Sequence, residues 1–201
     1  RAIAEVAIKY GVPVLSDEIY SRILYDGSHL SIAALPGMES LAIVLDGFSK
    51  TFAMTGWRLG YGIMPAPMAQ AVAKLQINAT SCTATFSQRA AVEALRGDQT
   101  SVEAMIAEFR RRRDVVVDGM RAIPGFTCVR PRGAFYVFPN IARTGFSSRA
   151  LAEKLLEQGG VACLSGTAFG EFGEGHLRFS YANSMENLQE ALSRIATVVG
   201  P

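Results

Sequence analysis

Two basic side chains that follow a short apolar stretch could carry chemistry in this 201-residue chain. Residues 41–45 form an unbroken apolar run, which is typical of a strand buried on both faces, and Asp46 and Gly47 then predict a turn. Lys50 comes directly after that turn. A lysine amine that has lost its proton can condense with a carbonyl group. Arg58, which carries a permanent charge and a planar fork of donors, suits a phosphate group.

An acidic side chain follows an earlier apolar run. Residues 2–10 have helical spacing, residues 12–15 predict a short strand, and Asp17 comes just after it. A crossover of about two dozen residues then leads to the strand at residues 41–45, which favours parallel pairing of the two strands. Parallel pairing would bring Asp17 and Lys50 to the same sheet edge, at a separation of roughly 5 to 10 Å. Ligands of open α/β sheets bind at that edge.

The elements that must position these side chains can be followed further along the chain. Residues 57–64 predict a third strand, and helices are expected up to about residue 78 and over residues 87–96. Thr100 and Glu103 have the spacing of a capping box, which predicts the start of a long helix that Pro124 and Gly125 end. We expect this long helix to connect two lobes.

The pattern changes from residue 126 onwards. Short strands are predicted at residues 127–130, 134–138, 161–164 and 176–181, together with a helix at residues 147–158 and a final helix capped by Ser184. This order is typical of an α+β lobe. The sequence therefore predicts an α/β chain with a mostly parallel first part and a smaller α+β second part.

The composition excludes several classes of protein. With 49% hydrophobic and 19% charged residues the chain has enough apolar material for a sizeable core, and its net charge of +2 predicts no nucleic-acid partner. The run at residues 110–113 is basic, but its acidic neighbours favour a solvated helix face. Three scattered cysteines and two isolated histidines predict neither disulfides nor a metal site. No membrane span or leader pattern is visible, so a cytoplasmic location is expected.

At this point the motifs resemble those of a known family. The segment GFSKTFAMTGWRLGY is similar to the cofactor-attachment motif of class I/II aminotransferases, which are pyridoxal-phosphate enzymes of fold type I. SDEIY, PRGAFYVF, SGTAFG and HLRFSYANS resemble further motifs of that family, in the same order. The resemblance implies that residues 1–98 are the C-terminal part of a large cofactor-binding domain, residues 99–125 a connecting helix, and residues 126–201 a small C-terminal domain.

The resemblance also implies a role for each candidate residue. Lys50 would hold pyridoxal 5'-phosphate covalently and later shuttle a proton at the substrate's α-carbon. Asp17 would face the pyridine nitrogen and keep it protonated, and Tyr20 would donate a hydrogen bond to the ring's 3-oxygen. Arg58 would anchor the phosphate. Arg178 would hold the α-carboxylate of the amino acid or 2-oxo acid substrate.

The chain departs from the family pattern in two respects. Many relatives carry a serine or threonine three residues before the lysine, where this chain has Gly47. The family's glycine-rich phosphate turn, its ring-stacking aromatic residue and its NPTG asparagine do not occur in these residues. We therefore expect the C-terminal half of a homodimeric aminotransferase, which on its own would bind the cofactor weakly and have little or no activity.

Other interpretations remain open at the level of sequence. A C–S lyase that catalyses β-elimination would use the same lysine and ring chemistry, and the aminotransferase-like half of a transcription regulator would bind a ligand without catalysis. Taken singly, Lys50 could be solvated, Asp17 could cap a local turn, and Arg58 or Arg178 could form surface ion pairs.

Overall fold

The computed structural model describes residues 1–200 and divides the chain into two compact units, Arg1–Glu103 and a second unit that begins at Ala104. The helices are α1 (Ala2–Tyr10), α2 (Ala66–Thr80), α3 (Thr85–Arg96), α4 (Thr100–Ala122), α5 (Ser148–Gly159) and α6 (Met185–Val199). The strands are β1 (Val14–Asp17), β2 (Ala42–Gly47), β3 (Gly60–Ile63), β4 (Tyr136–Val137), β5 (Leu164–Ser165) and β6 (Leu177–Ser180). Within the described residues, none of these helices has both the length and the apolar character needed to cross a membrane.

The first unit contains a three-stranded sheet in the order β1-β2-β3. β1 and β2 are parallel, with Asp17 opposite Leu45, which confirms the predicted pairing of the first two strands. β3 is antiparallel to β2, with Gly60 opposite Gly47. The apolar pattern of β3 had not indicated its direction. The carboxyl ends of β1 and β2 therefore lie at one edge of the sheet, and the chain after each strand emerges there.

The crossover from β1 to β2 has little regular structure. It contains a single short 3₁₀ helix, Ile32–Ala34, and no α-helix. Gly27 and Gly37, which follow Asp26 and Pro36, have φ angles of 86° and 85°, so each supplies a left-handed turn that glycine adopts readily. The segment is nevertheless anchored, because Met38 is fully buried in a small core with residues of α1 and β2.

The long helix α4 begins where the sequence predicted, but the predicted capping box of Thr100 and Glu103 does not form. Asp98 Oδ1 accepts hydrogen bonds from the backbone N–H of Thr100 at 3.2 Å and from its hydroxyl at 2.8 Å. In the predicted capping box the Thr100 hydroxyl would accept from Glu103 N, whereas Glu103 N donates to the carbonyl oxygen of Gln99 at 3.0 Å and the Thr100 hydroxyl acts as a donor. A carboxylate also suits the positive end of a helix dipole better than a hydroxyl does.

The second unit contains a small antiparallel sheet in the order β4-β6-β5. Its strands are shorter than predicted, and residues 127–130 form no strand, since Thr127 alone pairs with Asn140 in an isolated bridge. The predicted cap of the final helix is confirmed, since Ser184 Oγ accepts from Asn187 N at 3.2 Å. Ser147 caps α5 in the same way, with its Oγ accepting from Ala150 N at 3.2 Å. The core of this unit includes four fully buried aliphatic side chains: Leu151, Leu155, Leu177 and Ile195.

The basic run of α4 is only in part a solvated face. Arg111 is exposed, as predicted, but Arg113 is only 4% exposed. The Arg113 guanidinium donates to Asp114 Oδ1 at 2.9 Å and to the carbonyl oxygen of Pro131 at 3.1 Å. The expectation of a solvated face is therefore wrong for Arg113, because this side chain links the helix to the segment that precedes β4.

Candidate active site

The turn that carries Lys50 is anchored by a small apolar core. Lys50 is half-buried in the turn after β2, and its carbonyl oxygen accepts from Ala53 N at 3.2 Å. Phe48, two residues before it, is 3% exposed and packs in a cluster with Met54 and with Ala91 of α3. Because residues on both sides of Lys50 are fixed in this cluster, the lysine projects from a defined turn and not from a loose loop.

The backbone between Lys50 and β3 adopts two unusual conformations. Ala53 and Arg58 have φ angles of 52° and 51°, a left-handed region that costs a non-glycine residue of order 1–3 kcal/mol. Hydrogen bonds hold the segment in place, from Met54 N to Phe48 O at 3.2 Å and from Phe48 N to Leu59 O at 3.3 Å. Such strain persists only where the surroundings enforce it, and it clusters at functional sites.

Asp17 lies at the carboxyl end of β1, next to the strand that leads to Lys50. The side chain is exposed, and Oδ1 accepts from the backbone N–H of Ile19 at 3.2 Å. Within the described residues that is the only hydrogen bond of this carboxylate. Asp17 and the Lys50 turn therefore both follow the carboxyl ends of adjacent parallel strands, where a ligand would be expected to bind.

Tyr20 occupies a tight turn just beyond Asp17. Its carbonyl oxygen accepts from Ile23 N at 3.0 Å, and Ile23 is fully buried. The Tyr20 side chain is half-buried. The turn thus fixes the position of the phenol relative to the end of β1.

Arg58 is exposed in the segment before β3. Its Nη1 donates to the carbonyl oxygen of Thr55 at 2.9 Å. No other hydrogen bond or ion pair of this side chain occurs among residues 1–200, so the alternative that Arg58 forms a surface ion pair is wrong within that part of the chain. Most donors of the guanidinium are therefore available to an anion.

Arg58 also lines a cavity of about 1050 Å³ within the first unit, together with residues of β3, α2 and the start of α3. Asp46 and Tyr61 line it too, and Tyr61 donates its hydroxyl to Asp46 Oδ2 at 3.2 Å. Burial, together with the negative charge of Asp46, raises the pKa of the Tyr61 phenol. The sequence did not indicate this pair, because Asp46 was interpreted only as a turn residue. Lys50 and Asp17 do not line the cavity.

Arg178 belongs to the second unit, in strand β6, and is held by aromatic rings. The carbon at the centre of its guanidinium lies 4.6 Å from the centroid of the Tyr136 ring and 4.5 Å from that of Phe169. The Arg178 side chain forms no hydrogen bond or ion pair among the described residues. Cation–π contacts orient the guanidinium without using its N–H donors, so the fork remains available for a carboxylate. The ion-pair interpretation of Arg178 is wrong within residues 1–200.

The SGTAFG segment delivers Phe169 to that position. Residues Gly166–Phe169 form a 3₁₀ helix, and Ser165 Oγ accepts from Thr167 N at 3.4 Å. A Cβ atom at Gly166 would overlap the carbonyl oxygen of Gly173, so only glycine fits there. The sequence did not indicate which residue this segment contributes beside Arg178.

The glycine at position 47, where many relatives have serine or threonine, has a structural reason. A Cβ atom there would lie 3.0 Å from Gly60 Cα and 3.2 Å from the carbonyl oxygen of Leu59. Both neighbours are backbone atoms that cannot rotate away. The close approach of β2 and β3 therefore excludes a larger side chain without local displacement.

Comparisons with known proteins agree with this geometry. The family model described as aminotransferase class I and II matches residues 1–195. Aromatic-amino-acid aminotransferase 2 of Thermococcus litoralis is 42% identical, and the match covers 98% of this chain and 51% of the relative. An aspartate aminotransferase of Pyrococcus abyssi is 43% identical, and the match again covers 98% of this chain and 51% of the relative. The crystal structure of an aromatic aminotransferase from Pyrococcus horikoshii has a TM-score of 0.95 and 42% identity, covering 98% of this chain and 53% of that one.

The chain therefore belongs to the aminotransferase class I and II family, and its fold is part of the fold type I aminotransferase fold. This confirms the resemblance drawn from the motifs. The chain spans about half the length of the curated relatives it matches. The names of those relatives specify different amino acids, so they do not define one substrate for this chain.

Proposed function

We propose that this chain is the C-terminal half of a pyridoxal-phosphate-dependent aminotransferase, which transfers an amino group between an amino acid and a 2-oxo acid. The family membership supports the reaction class. The observation that carries the proposal is the placement of Asp17 and the anchored Lys50 turn after the carboxyl ends of two adjacent parallel strands.

The residues of the first unit fit pyridoxal 5'-phosphate. Lys50 offers an amine for the cofactor's aldehyde, and Asp17 offers an exposed carboxylate with a single hydrogen bond, suited to a pyridine nitrogen. Arg58 offers a guanidinium with one intramolecular hydrogen bond, suited to a phosphate. When bound, the cofactor supplies an electron-withdrawing ring that stabilises negative charge at the substrate's α-carbon.

Each residue then has a defined task. Lys50 would hold the cofactor through Nζ and, once released by substrate, would accept and return a proton at the same atom. Asp17 would keep a proton on the ring nitrogen, because a carboxylate in contact favours the charged form. Tyr20 would donate its hydroxyl proton to the ring's 3-oxygen, and Arg58 would bind the phosphate.

Arg178 is proposed to bind the α-carboxylate of both substrates. A bidentate contact fixes the orientation of a carboxylate as well as its position. The absence of an acidic partner for Arg178 among residues 1–200 supports this role, and so does its fixation between Tyr136 and Phe169.

We extend the proposal to the domain organisation, the location and the oligomeric state of the parent enzyme. Residues 1–98 would complete a large cofactor-binding domain, residues 99–125 would connect it to the small domain formed by residues 126–201, and the parent enzyme would be a cytoplasmic homodimer. Large exposed apolar side chains on α1 and α2 support further partners for the first unit: Ile3 is 67% exposed, Leu75 70% and Ile77 67%. Light scattering of the complete gene product tests the dimer.

Transamination is favoured over β-elimination because the relatives compared above are named aminotransferases. The test uses the complete gene product purified with pyridoxal 5'-phosphate. A visible absorbance band of the lysine-bound cofactor is expected, which Lys50→Ala abolishes and the exposed-surface control Lys74→Ala retains. Persistence of the band in Lys50→Ala would refute the assignment. Release of pyruvate and ammonia from a cysteine conjugate, without amino transfer to a 2-oxo acid, would instead identify a lyase.

A further inference from the structure

A buried carboxylate lies immediately beside Asp17. Glu18 is 8% exposed, which is unusual for an acidic side chain unless it has partners. Its backbone N–H donates to the carbonyl oxygen of Leu45 at 2.8 Å, so β1 remains attached to β2 one residue past its end. The resemblance assigned no role to this residue.

Both oxygens of Glu18 are engaged. Oε1 accepts from Ser31 Oγ at 2.9 Å, from Ser16 Oγ at 3.1 Å and from Ile32 N at 3.4 Å, and Oε2 lies 2.7 Å from His29 Nε2. Burial raises the pKa of the carboxyl, but the hydrogen bonds from His29, Ser31 and Ser16 outweigh burial and hold the pKa of Glu18 below its ordinary value. The carboxylate is therefore charged and fixed.

The direction of Asp17 depends on this fixation. Side chains alternate along β1, so that Leu15 and Asp17 are exposed whereas Ser16 is half-buried and Glu18 is buried. Ser16 and Glu18 face the covered side of the strand end, and Asp17 faces the open side. A strand end held on one face by Glu18 consequently presents Asp17 on the other.

The position of Tyr20 also depends on the hydrogen bonds of Glu18. Ser31 and Ile32 belong to the crossover, and their bonds to Glu18 close the chain between residues 18 and 32 into a loop. Tyr20 lies inside that loop. The turn after β1 adds one more bond, from Ser21 N to Glu18 O at 2.8 Å.

We propose that Glu18, held by His29 and Ser31, is a positioning residue that sets the orientation of Asp17 and Tyr20 at the end of β1. It does not itself touch the ligand. What Asp17 and Tyr20 bind rests on the proposed function, whereas the coupling of Glu18 to the loop does not.

The first test measures hydrogen exchange in peptides that span residues 18–32 of the complete gene product. Glu18→Ala is expected to speed exchange there by about tenfold or more, since the four donors lose a charged acceptor. Glu18→Gln, which keeps an acceptor oxygen, restores most of the protection. Glu39→Ala is the matched control, because Glu39 is exposed in the same crossover and its side chain forms no hydrogen bond or ion pair within residues 1–200. Equal exchange in Glu18→Ala and Glu39→Ala would overturn the proposal.

The second test separates positioning from general stabilisation. Glu18→Ala is expected to raise the dissociation constant of pyridoxal 5'-phosphate about tenfold and to shift the pH midpoint of the cofactor's visible band, with Glu39→Ala unchanged. Lowered melting temperature with unchanged binding and midpoint would overturn the positioning role. If the wild type shows no cofactor band, the proposed function fails. The hydrogen-exchange experiment still tests whether Glu18 holds the loop at residues 18–32. Ser31→Ala and His29→Gln take the place of Glu18→Ala if that variant does not fold.

Discussion

Gly47 on β2 lies directly opposite Gly60 on β3, and a Cβ atom at position 47 would come within 3.0 Å of Gly60 Cα. The two glycines let the strands approach closely just before the chain turns towards Lys50. The absent serine or threonine of many relatives is thus linked to the geometry of the strand pair. A residue with a side chain at this position would act on the lysine turn through the backbone.

Gly47→Ser is therefore expected to destabilise the protein, although it restores the residue type that many relatives carry. Overpacking against fixed backbone atoms costs about 1–3 kcal/mol. Urea unfolding followed by circular dichroism measures this change. Gly56→Ser, in the same segment but with nothing within 4 Å of the added Cβ, is the control. A Gly47→Ser variant as stable as Gly56→Ser would show that the strands can separate without cost.

Phe169→Leu is expected to weaken substrate binding. Leucine keeps apolar bulk but removes the ring face that lies 4.5 Å from the Arg178 guanidinium. Losing one exposed cation–π contact, worth about 0.5–1 kcal/mol, raises KM for the amino acid about two- to fivefold with kcat little changed. Steady-state kinetics of the complete gene product measures both constants. Phe172→Leu, which changes a side chain that is 92% exposed, should leave KM unaltered; a fall in kcat alone for Phe169→Leu would contradict the interpretation.

The sequence predicted those features that depend on local pattern. Apolar runs located β1 and β2, and their order along the chain predicted the parallel pair that places Asp17 and the Lys50 turn at one edge. Contacts between distant segments left no such pattern. The burial of Arg113 depends on the carbonyl oxygen of Pro131, 18 residues away, and a charged residue on a basic helix face gave no signal of it.

The same reason explains what was missed at the site. Glu18 is bonded to residues of the crossover 11 to 14 positions further on, where neither periodicity nor a turn motif marks them as partners. Phe169 lies beside Arg178 in a segment whose backbone packs closely at Gly166 and Gly173, where a side chain would not fit. Local rules located the candidate residues, but the contacts between distant segments of the chain became visible only in three dimensions.

Arg113→Met is expected to destabilise the second unit. Methionine keeps much of the buried stem but leaves the carbonyl oxygen of Pro131 without this donor, at a cost of about 1–3 kcal/mol. Thermal or urea unfolding measures the change. Arg111→Met is the matched control, since an exposed pair such as that of Arg111 with Glu108 contributes little to stability. Similar losses in both variants would mean that Arg113 acts only through its charge.

The Glu18 network also predicts a dependence of stability on pH. The folded-state pKa of Glu18 lies below its ordinary value of 4.5, so the unfolded chain takes up the proton more readily. The stabilising contribution of Glu18 is therefore complete above about pH 4.5, and it is lost as the pH falls through the lower folded-state pKa. His29 faces the same carboxylate, so the comparison is made with Glu18→Gln, which keeps His29 and removes the titrating group. The difference in melting temperature between wild type and Glu18→Gln should shrink as the pH falls below 4.5. A difference that stays constant across this range, or grows towards low pH, would show that the Glu18 charge does not stabilise the fold.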